Sequence, residues 1–250
     1  MKLLRYIRDW IFSIPTLLVF GLSLAFFDIV GRVALLFGLR PFEWVMVALQ
    51  KCLLWSFLFS YVTIEVEKSP ELVDATPYVL VSNHQSMLDV PIFGARLAGS
   101  FPKYIAKKEL SRWIPSVSLN LQKGGNALID RDNRRQALGA IRKLASESQD
   151  RGTSIVIFPE GRRSRGGETL EFHSGGLAMV LRSAPEMAVV PTVIDGSWIV
   201  FRHTMFPVPF GTKVRVRLGA PIERMEGDDA ASIMTKVETF IADTLKGWRA

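Results

Sequence analysis

This chain of 250 residues contains little cysteine and histidine and has no repetitive sequence. Because Cys52 is its one cysteine, the chain can form neither an internal disulfide nor a cysteine-based metal site. Only three histidines are present, and no cluster of histidine or cysteine supplies further ligands beside any of them. We therefore predict no bound metal and no cofactor beyond the substrates. With no internal repeat and no low-complexity tract either, an ordinary folded domain remains as the main architecture.

Apolar residues, in contrast, are abundant. They make up 48% of the chain, and the mean hydropathy of +0.21 lies above the range usual for soluble enzymes, so we expect some apolar surface to face lipid. The formal net charge is +7, and residues 101–170 carry 14 Lys or Arg against 7 Asp or Glu, so the surplus lies in one central stretch. That location differs from a basic nucleic-acid-binding tail, and it favours membrane lipids or a phosphorylated ligand over nucleic acid.

The N-terminal segment, residues 1–62, is predicted to form a hydrophobic two-helix hairpin. Residues 10–27 carry no charge, and a second apolar stretch follows Pro41. Because proline disfavours a helical residue before it, we predict a turn at Arg40 between helices at about 12–39 and 42–62. The first stretch is borderline in length for a span, so the hairpin either crosses the bilayer or lies in one leaflet.

Basic residues at the very start of the chain suggest how the hairpin is oriented. Lys2, Arg5 and Arg8 precede the first apolar run and favour a cytoplasmic N-terminus. We therefore place the protein at the cytoplasmic face of the inner (plasma) membrane. A cleaved signal peptide is the competing interpretation, but the run extends past a normal apolar region and shows no clear cleavage site.

The remaining residues, 63–250, are predicted to form a catalytic α/β domain with a largely parallel sheet flanked by helices. Strands alternate with helices, and several strands are continuously apolar, as in a sheet covered on both faces. Residues 213–218 alternate strictly and predict an edge strand with one solvent-exposed face. Helices are predicted at 132–149, capped by Asp132, and at about 228–247. The predicted strands are 62–67, 78–82, 104–106, 127–129, 154–158, 188–194 and 213–218.

The segment NHQSMLD, which follows the strand at 78–82, carries the main chemical signal. Loops at the carboxyl ends of parallel strands hold the ligands of open α/β sheets. If residues 85 onward turn helically, Asp89 comes beneath His84 and can orient its imidazole, and such a pair can act as a general base toward a hydroxyl group. Alone, the pattern favours the plainer interpretation, in which His84 caps a helix and Asp89 lies on its exposed side.

Two further strand ends carry charged residues. FPEGRRSR follows one strand, where a glycine turn lets the backbone approach a ligand and arginine can grip phosphate in a bidentate fork. GGNALIDR ends another strand at Arg131. Three strand ends thus carry a base, an arginine and a Glu/Arg pair. This combination favours a phosphorylated ligand.

In these motifs the sequence resembles the family of 1-acylglycerol-3-phosphate acyltransferases, the bacterial PlsC-like enzymes, over about residues 60–220. NHQSMLD, GGNALIDR, FPEGRRS and Val190-Pro191 occur in the family's order and approximate spacing, and Lys108 lies in a further segment typical of it. The resemblance implies transfer of a fatty acyl group from acyl-CoA or acyl-acyl carrier protein to lysophosphatidic acid, without an acyl-enzyme. It also implies residue roles: His84 as base, Asp89 as its partner, Glu160 and Gly161 at the glycerol, Arg131, Arg163 and Lys108 at the phosphate, and Pro191 at the pocket.

Two departures from the family pattern concern the acceptor. Arg162 stands where the family has threonine, and His173 stands where a basic residue is usual. Both lie near the expected head group, so acceptors such as another lysophospholipid, a lyso-ornithine lipid or glycerol 3-phosphate stay open. A non-catalytic module that binds anionic lipid is the alternative from a different class. Backbone N–H groups near NHQSMLD are expected to bind the thioester oxyanion.

Overall fold

The computed structural model describes residues 2–222 and 229–250, and in these residues a seven-stranded sheet is flanked by helices. The strands are β1 (Thr63–Lys68), β2 (Val79–Ser82), β3 (Lys103–Lys107), β4 (Ala127–Ile129), β5 (Ile155–Ile157), β6 (Val189–Asp195) and β7 (Lys213–Leu218). The helices are α1 (Lys2–Leu35), α2 (Leu39–Ser56), α3 (Asp89–Arg96), α4 (Val117–Lys123), α5 (Arg134–Arg151), α6 (Gly175–Ser183), α7 (Ser197–Val200) and α8 (Ala230–Arg249). Short 3-10 segments lie at Phe57–Ser60, Ala98–Ser100 and Lys108–Ser111.

The strand order across the sheet is β1-β7-β6-β2-β5-β3-β4. Strands β2 to β6 are mutually parallel, whereas β7 pairs antiparallel with β6 and parallel with β1. The central strands are buried on both faces, as expected where helices cover a parallel sheet. The predicted fold class, a largely parallel sheet flanked by helices, is confirmed.

Strand β7 corrects the prediction of an edge strand, because it lies between β1 and β6. The predicted solvent-exposed face is present. Lys213, Arg215 and Arg217 point to a half-exposed face, and Glu65 and Glu67 on the neighbouring β1 form ion pairs with Lys213 and Arg217. The alternation in β7 therefore reflects one solvent-exposed face of a strand that is hydrogen-bonded on both sides.

The two long helices of the α/β region also shift slightly from their predicted limits. Helix α5 begins at Arg134, and its cap is Asn133, whose side chain accepts from the N–H of Gln136 at 3.0 Å. Asp132, the predicted cap, lies one residue too early for that contact. Helix α8 is capped by Asp229. Residue 228, where this helix was predicted to start, lies outside the described residues.

The N-terminal hairpin forms, but its turn differs from the prediction. The chain reverses at residues 36–38, where Gly38 has a φ of +110°, and Arg40 is already helical. Pro41 lies in the first turn of α2, where a missing N–H costs no helical hydrogen bond. The first helix begins at Lys2 rather than near residue 12.

Helix α1 differs from a surface helix of a soluble protein in which side chains it exposes and which it buries. Its buried residues are small or polar, and many of its large apolar side chains are exposed along the whole length, while others, such as Phe20, Leu24 and Phe27, are partly buried. By length and composition, both α1 and the helical stretch Leu39–Ser60 are apolar enough to cross a membrane. The buried residues of α1 are Asp9, Ser13, Thr16, Gly31 and Ala34.

Polar contacts fasten this hairpin to the sheet domain. Glu43 of α2 is buried and accepts from the Lys103 ammonium at 2.5 Å and from the Arg151 guanidinium at 2.6 Å. Burial lowers the pKa of Lys103, and the Glu43 carboxylate partly offsets that effect. A buried ion pair of this kind holds α2 in one position against the start of β3 and the end of α5.

Candidate active site

The site lies at the edge of the sheet where the parallel strands β2 to β6 end, which we call the carboxyl edge. At this edge β2 passes into the loop 83–88 and then α3. Asn83 continues the pairing of β2 with β6, because its side-chain amide exchanges two hydrogen bonds of 2.9 Å with the backbone of Ile194. The strand end is therefore fixed immediately before His84.

His84 and Asp89 are in direct contact. The Nδ1 atom of His84 lies 2.8 Å from Oδ2 of Asp89, whose side chain is fully buried. Residues 85 and 86 are irregular and residues 87 and 88 form a turn, so α3 begins only at Asp89 and not at about residue 85. The turn brings the carboxylate back to the imidazole. No hydrogen bond from any described residue reaches Nε2 of His84, so this nitrogen is available to a substrate.

The Asp89 carboxylate is held by further donors. The backbone N–H groups of Gln85 and Ser86 donate to Oδ2 at 2.8 and 2.9 Å. The hydroxyl groups of Ser86 and Ser197 donate to Oδ1 at 3.3 and 2.6 Å. An ionised carboxylate is a pure acceptor and matches such a set of donors. Because these two N–H groups serve Asp89, they are not available for the oxyanion role expected of this segment.

Phe158, at the end of β5, supports the imidazole from its face. The two rings stack with centroids 4.0 Å apart and an interplanar angle of 17°. The backbone of His84 is held from the same loop, since its carbonyl accepts from the N–H of Ser164 at 2.8 Å. Ring and backbone are thus both restrained by the loop that follows β5.

Glu160 is placed between the two motif loops. Its carboxylate accepts from the N–H of His84 at 2.8 Å and from the N–H of Leu170 at 3.2 Å. Burial raises its pKa to about 7, although both backbone hydrogen bonds act in the opposite direction. Glu160 lies in the loop that follows β5, which begins with residues 158–161 and which we call the FPEG loop. Its side chain links this loop to the loop 83–88 by accepting hydrogen bonds from backbone N–H groups.

We expect Glu160→Gln to change how stability depends on pH. A carboxyl group with a raised pKa binds more protons in the folded state, so its contribution to folding is most favourable below pH 4.5 and is lost as the pH rises to about 7. The unfolding free energy of the wild type relative to Glu160→Gln should fall across that window by up to about 3 kcal/mol.

Thermal unfolding of both proteins in detergent, from pH 4.5 to 8, measures this difference. Glu147→Gln, a change on the exposed face of α5, is the matched control and should run parallel to the wild type. A difference between wild type and Glu160→Gln that is constant with pH would contradict the assignment.

Ser197 is a residue of the site that the sequence reasoning missed. It follows β6 and Gly196, is fully buried, and donates the shortest hydrogen bond that Asp89 receives. A small hydroxyl residue three positions after a predicted strand was the available signal, but nothing in the sequence linked it to Asp89, 108 residues earlier. Phe158 was read as part of a motif, without its stacking role.

The three predicted phosphate-binding cations lie at the same carboxyl edge, at increasing distances from His84. Arg163 follows β5, which is next to β2, whereas Lys108 follows β3, and Arg131 follows β4 at the edge of the sheet. Since neighbouring strands lie about 4.8 Å apart, the strand that carries Arg131 is about 14 Å from β2. All three side chains are exposed.

The other predicted binding residues differ in how close they come to the site. Gly161 has a φ of +65°, which glycine adopts easily, and its Cβ position is open. Pro191 is buried within β6, where it pairs with Val81, so it lies below the carboxyl edge. Arg162 and His173 are both exposed around the FPEG loop. Within 2–222 and 229–250, no three His, Cys, Asp or Glu side chains form a metal-ligand group.

Known proteins share these features. Residues 63–195 match the family model described as Acyltransferase. The chain is 34% identical over 147 residues to the 1-acyl-sn-glycerol-3-phosphate acyltransferase of Helicobacter pylori, which covers 58% of this chain and 60% of that protein. It is 28% identical over 177 residues to the human 1-acyl-sn-glycerol-3-phosphate acyltransferase alpha, covering 70% and 61%.

A solved structure shares the fold. The crystal structure of the 1-acyl-sn-glycerophosphate acyltransferase PlsC from Thermotoga maritima matches with a TM-score of 0.78 over 98% of both chains, at 21% identity. The sequence matches extend over only 41%, 48% and 60% of three curated relatives, from Caenorhabditis elegans, Limnanthes douglasii and Ovis aries. The family match covers more than half of the chain and contains His84, Asp89 and Glu160, so this protein belongs to the acyltransferase family.

Proposed function

We propose that the protein transfers a fatty acyl group from an acyl thioester, acyl-CoA or acyl-acyl carrier protein, to the sn-2 hydroxyl of 1-acyl-sn-glycerol 3-phosphate. The contact of 2.8 Å between His84 and the buried Asp89 carries the proposal, because it leaves Nε2 to act as a base. The names of the curated relatives support this acceptor.

The proposed reaction needs no acyl-enzyme. The acceptor oxygen bonds to the thioester carbonyl carbon while its proton passes to Nε2 of His84. Asp89 accepts the Nδ1–H of the resulting imidazolium and stabilises its charge. The tetrahedral intermediate then collapses, the carbon–sulfur bond breaks, and the leaving thiolate takes the proton from Nε2. The products are phosphatidic acid and a free thiol, and the enzyme is unchanged.

The acceptor head group is proposed to lie along the carboxyl edge. Arg163 is closest to the base along the sheet, and Lys108 and Arg131 lie beyond it. Together they present positive charge to the phosphate, with Gly161 allowing close approach of the backbone. Glu160 is proposed to help bind the glycerol, since the backbone hydrogen bond to each of its oxygens fixes the two loops and leaves each oxygen a further acceptor site.

The hairpin is proposed to hold the enzyme at the cytoplasmic face of the membrane, within one leaflet. Along α1, Asp9 accepts from the N–H of Phe210, and Ser13 accepts from the N–H of Val208. A helix fastened at several points to the sheet domain cannot leave it to cross the bilayer. Its exposed apolar side chains are then covered by acyl chains.

An acceptor with another head group is the second candidate. Arg162 and His173 depart from the family pattern, and the structure exposes both beside the FPEG loop. Guanidinium and imidazole groups here alter the charge and hydrogen bonding offered to a head group, so they bear on acceptor choice rather than on the base.

A matrix of donors and acceptors tests the proposal. We expect the purified enzyme, with a long-chain acyl thioester, to convert lysophosphatidic acid to phosphatidic acid with one thiol released per product. Lysophosphatidylcholine, lyso-ornithine lipid and glycerol 3-phosphate serve as competing acceptors. Faster turnover of an acceptor that lacks a phosphate monoester would favour the second candidate, and no turnover with any pair would contradict acyl transfer altogether.

A further inference from the structure

The loop that joins β3 to α4, residues 108–116, carries a tryptophan whose side chain is almost fully exposed to solvent. Trp113 is 95% exposed, and Leu110 and Ile114 beside it are also exposed. A side chain of this size is costly to leave in water, and neither the catalytic pair nor the Glu160 ties use it. We call residues 108–116 the Trp113 loop.

The Trp113 loop is held firmly rather than left loose. The backbone N–H of Ser116 donates to Asp28 of α1 at 2.8 Å, and its hydroxyl donates to the carbonyl of Leu24 at 2.5 Å. Trp113 and Ser116 adopt φ values of +73° and +60°, which side-chain-bearing residues rarely adopt. Such conformations persist only where surrounding contacts impose them, so the outward position of the indole is built into the loop.

The loop is attached to α1, the helix of the hairpin that carries exposed apolar side chains along its length. Its anchors, Leu24 and Asp28, lie one helical turn apart on one face of α1, and Phe26 and Ile29, on other faces of the same part of the helix, are exposed. Exposed Lys107, Lys108 and Arg112 flank the apolar tip. Tryptophan prefers the membrane–water interface, and basic residues next to it complement anionic lipid head groups.

We propose that the Trp113 loop is a second membrane-docking element, which inserts its apolar tip at the boundary between head groups and acyl chains. The inference rests on the proposed membrane location of the hairpin. With α1 it supplies a second anchoring point, so the protein cannot roll about the hairpin axis. It also holds Lys108 at the depth of lipid phosphates, close to the carboxyl edge where the acceptor must arrive.

Spin labelling of the full-length chain tests this element. Cys52→Ser removes the one cysteine, and Trp113→Cys, Phe26→Cys or Val73→Cys then introduces a single label site. Val73 is also well exposed but lies in the loop before β2, at the opposite edge of the sheet, and is the matched control. Each protein is reconstituted in vesicles of phosphatidylethanolamine and phosphatidylglycerol, and collisions of the label with oxygen and with a water-soluble nickel complex are measured.

We expect the ratio of oxygen to nickel collisions at positions 26 and 113 to exceed that at position 73 several-fold, with position 113 shallower than position 26. A ratio at 113 equal to that at 73, with 26 still protected, would overturn the proposal and leave the hairpin's membrane location intact. A label at 113 that is immobilised only when acyl carrier protein is added would overturn it in favour of a protein partner.

Acyl transfer is measured on the same vesicles before labelling. Its failure would count against the proposed function independently of where the labels lie. Equal water exposure at all three positions would overturn the membrane location and the docking element together.

Discussion

Replacing His84 with alanine is expected to lower kcat/KM by about 10³- to 10⁴-fold, because the reaction loses its general base. The fold should survive the change. The anchors of this residue in the loop are its backbone N–H, which donates to Glu160, and its carbonyl, which accepts from Ser164, and alanine keeps both. Initial rates with lysophosphatidic acid and a long-chain acyl thioester measure the loss, and circular dichroism confirms folding.

His203→Ala is the matched control for this prediction. His203 is exposed, and its ring accepts a hydrogen bond from the neighbouring Arg202. Its removal should leave the rate within about twofold of wild type, since surface changes away from the site have small effects. A folded His84→Ala enzyme with wild-type turnover would show that another group takes the acceptor proton.

Asp89→Asn is expected to lower kcat by about 10²- to 10⁴-fold with little change in shape. The amide oxygen can keep the three donors now on Oδ2, and its NH₂ group can face the hydroxyls of Ser86 and Ser197, which can accept as well as donate. What is lost is the negative charge that, in the proposed mechanism, stabilises the imidazolium of His84. The defect should therefore appear in kcat more than in KM.

The control for Asp89→Asn is Asp132→Asn, at an exposed position before α5. It makes the same chemical change and should leave kcat and the unfolding midpoint at their wild-type values. If Asp89→Asn unfolds near the wild-type temperature and yet turns over normally, the carboxylate has no role in the chemistry.

Local patterns were enough to locate every strand of the sheet. Runs such as 78–82 and 154–158 are short, apolar and β-branched, and burial on both faces of a parallel sheet selects that composition. The sequence did not show which strands are neighbours in the sheet. Strand β7 alternates like an edge strand because one of its faces is wet, although it is hydrogen-bonded on both sides.

Helix limits shifted for local reasons that depend on geometry. Pro41 indicated a helix start nearby, but α2 begins at Leu39 and the turn lies before it, since proline is tolerated in a first helical turn. Asn133 instead of Asp132 caps α5 because its side chain reaches the N–H of Gln136. In both cases the residue types indicated that a helix starts nearby, but the sequence did not give the exact residue at which it starts.

Residue types and motif order by themselves determined the family resemblance, the strands, the apolar hairpin and the pairing hypothesis for His84 and Asp89. These follow from chemistry that is local in sequence, where periodicity and spacing can be read directly. Only the tertiary structure brought Ser197 and Phe158 to that pair, directed Glu160 at backbone N–H groups, and fastened α1 to the sheet domain through Asp9 and Ser13. Such contacts join residues far apart in the chain, and the packing of strands and loops decides which of them meet.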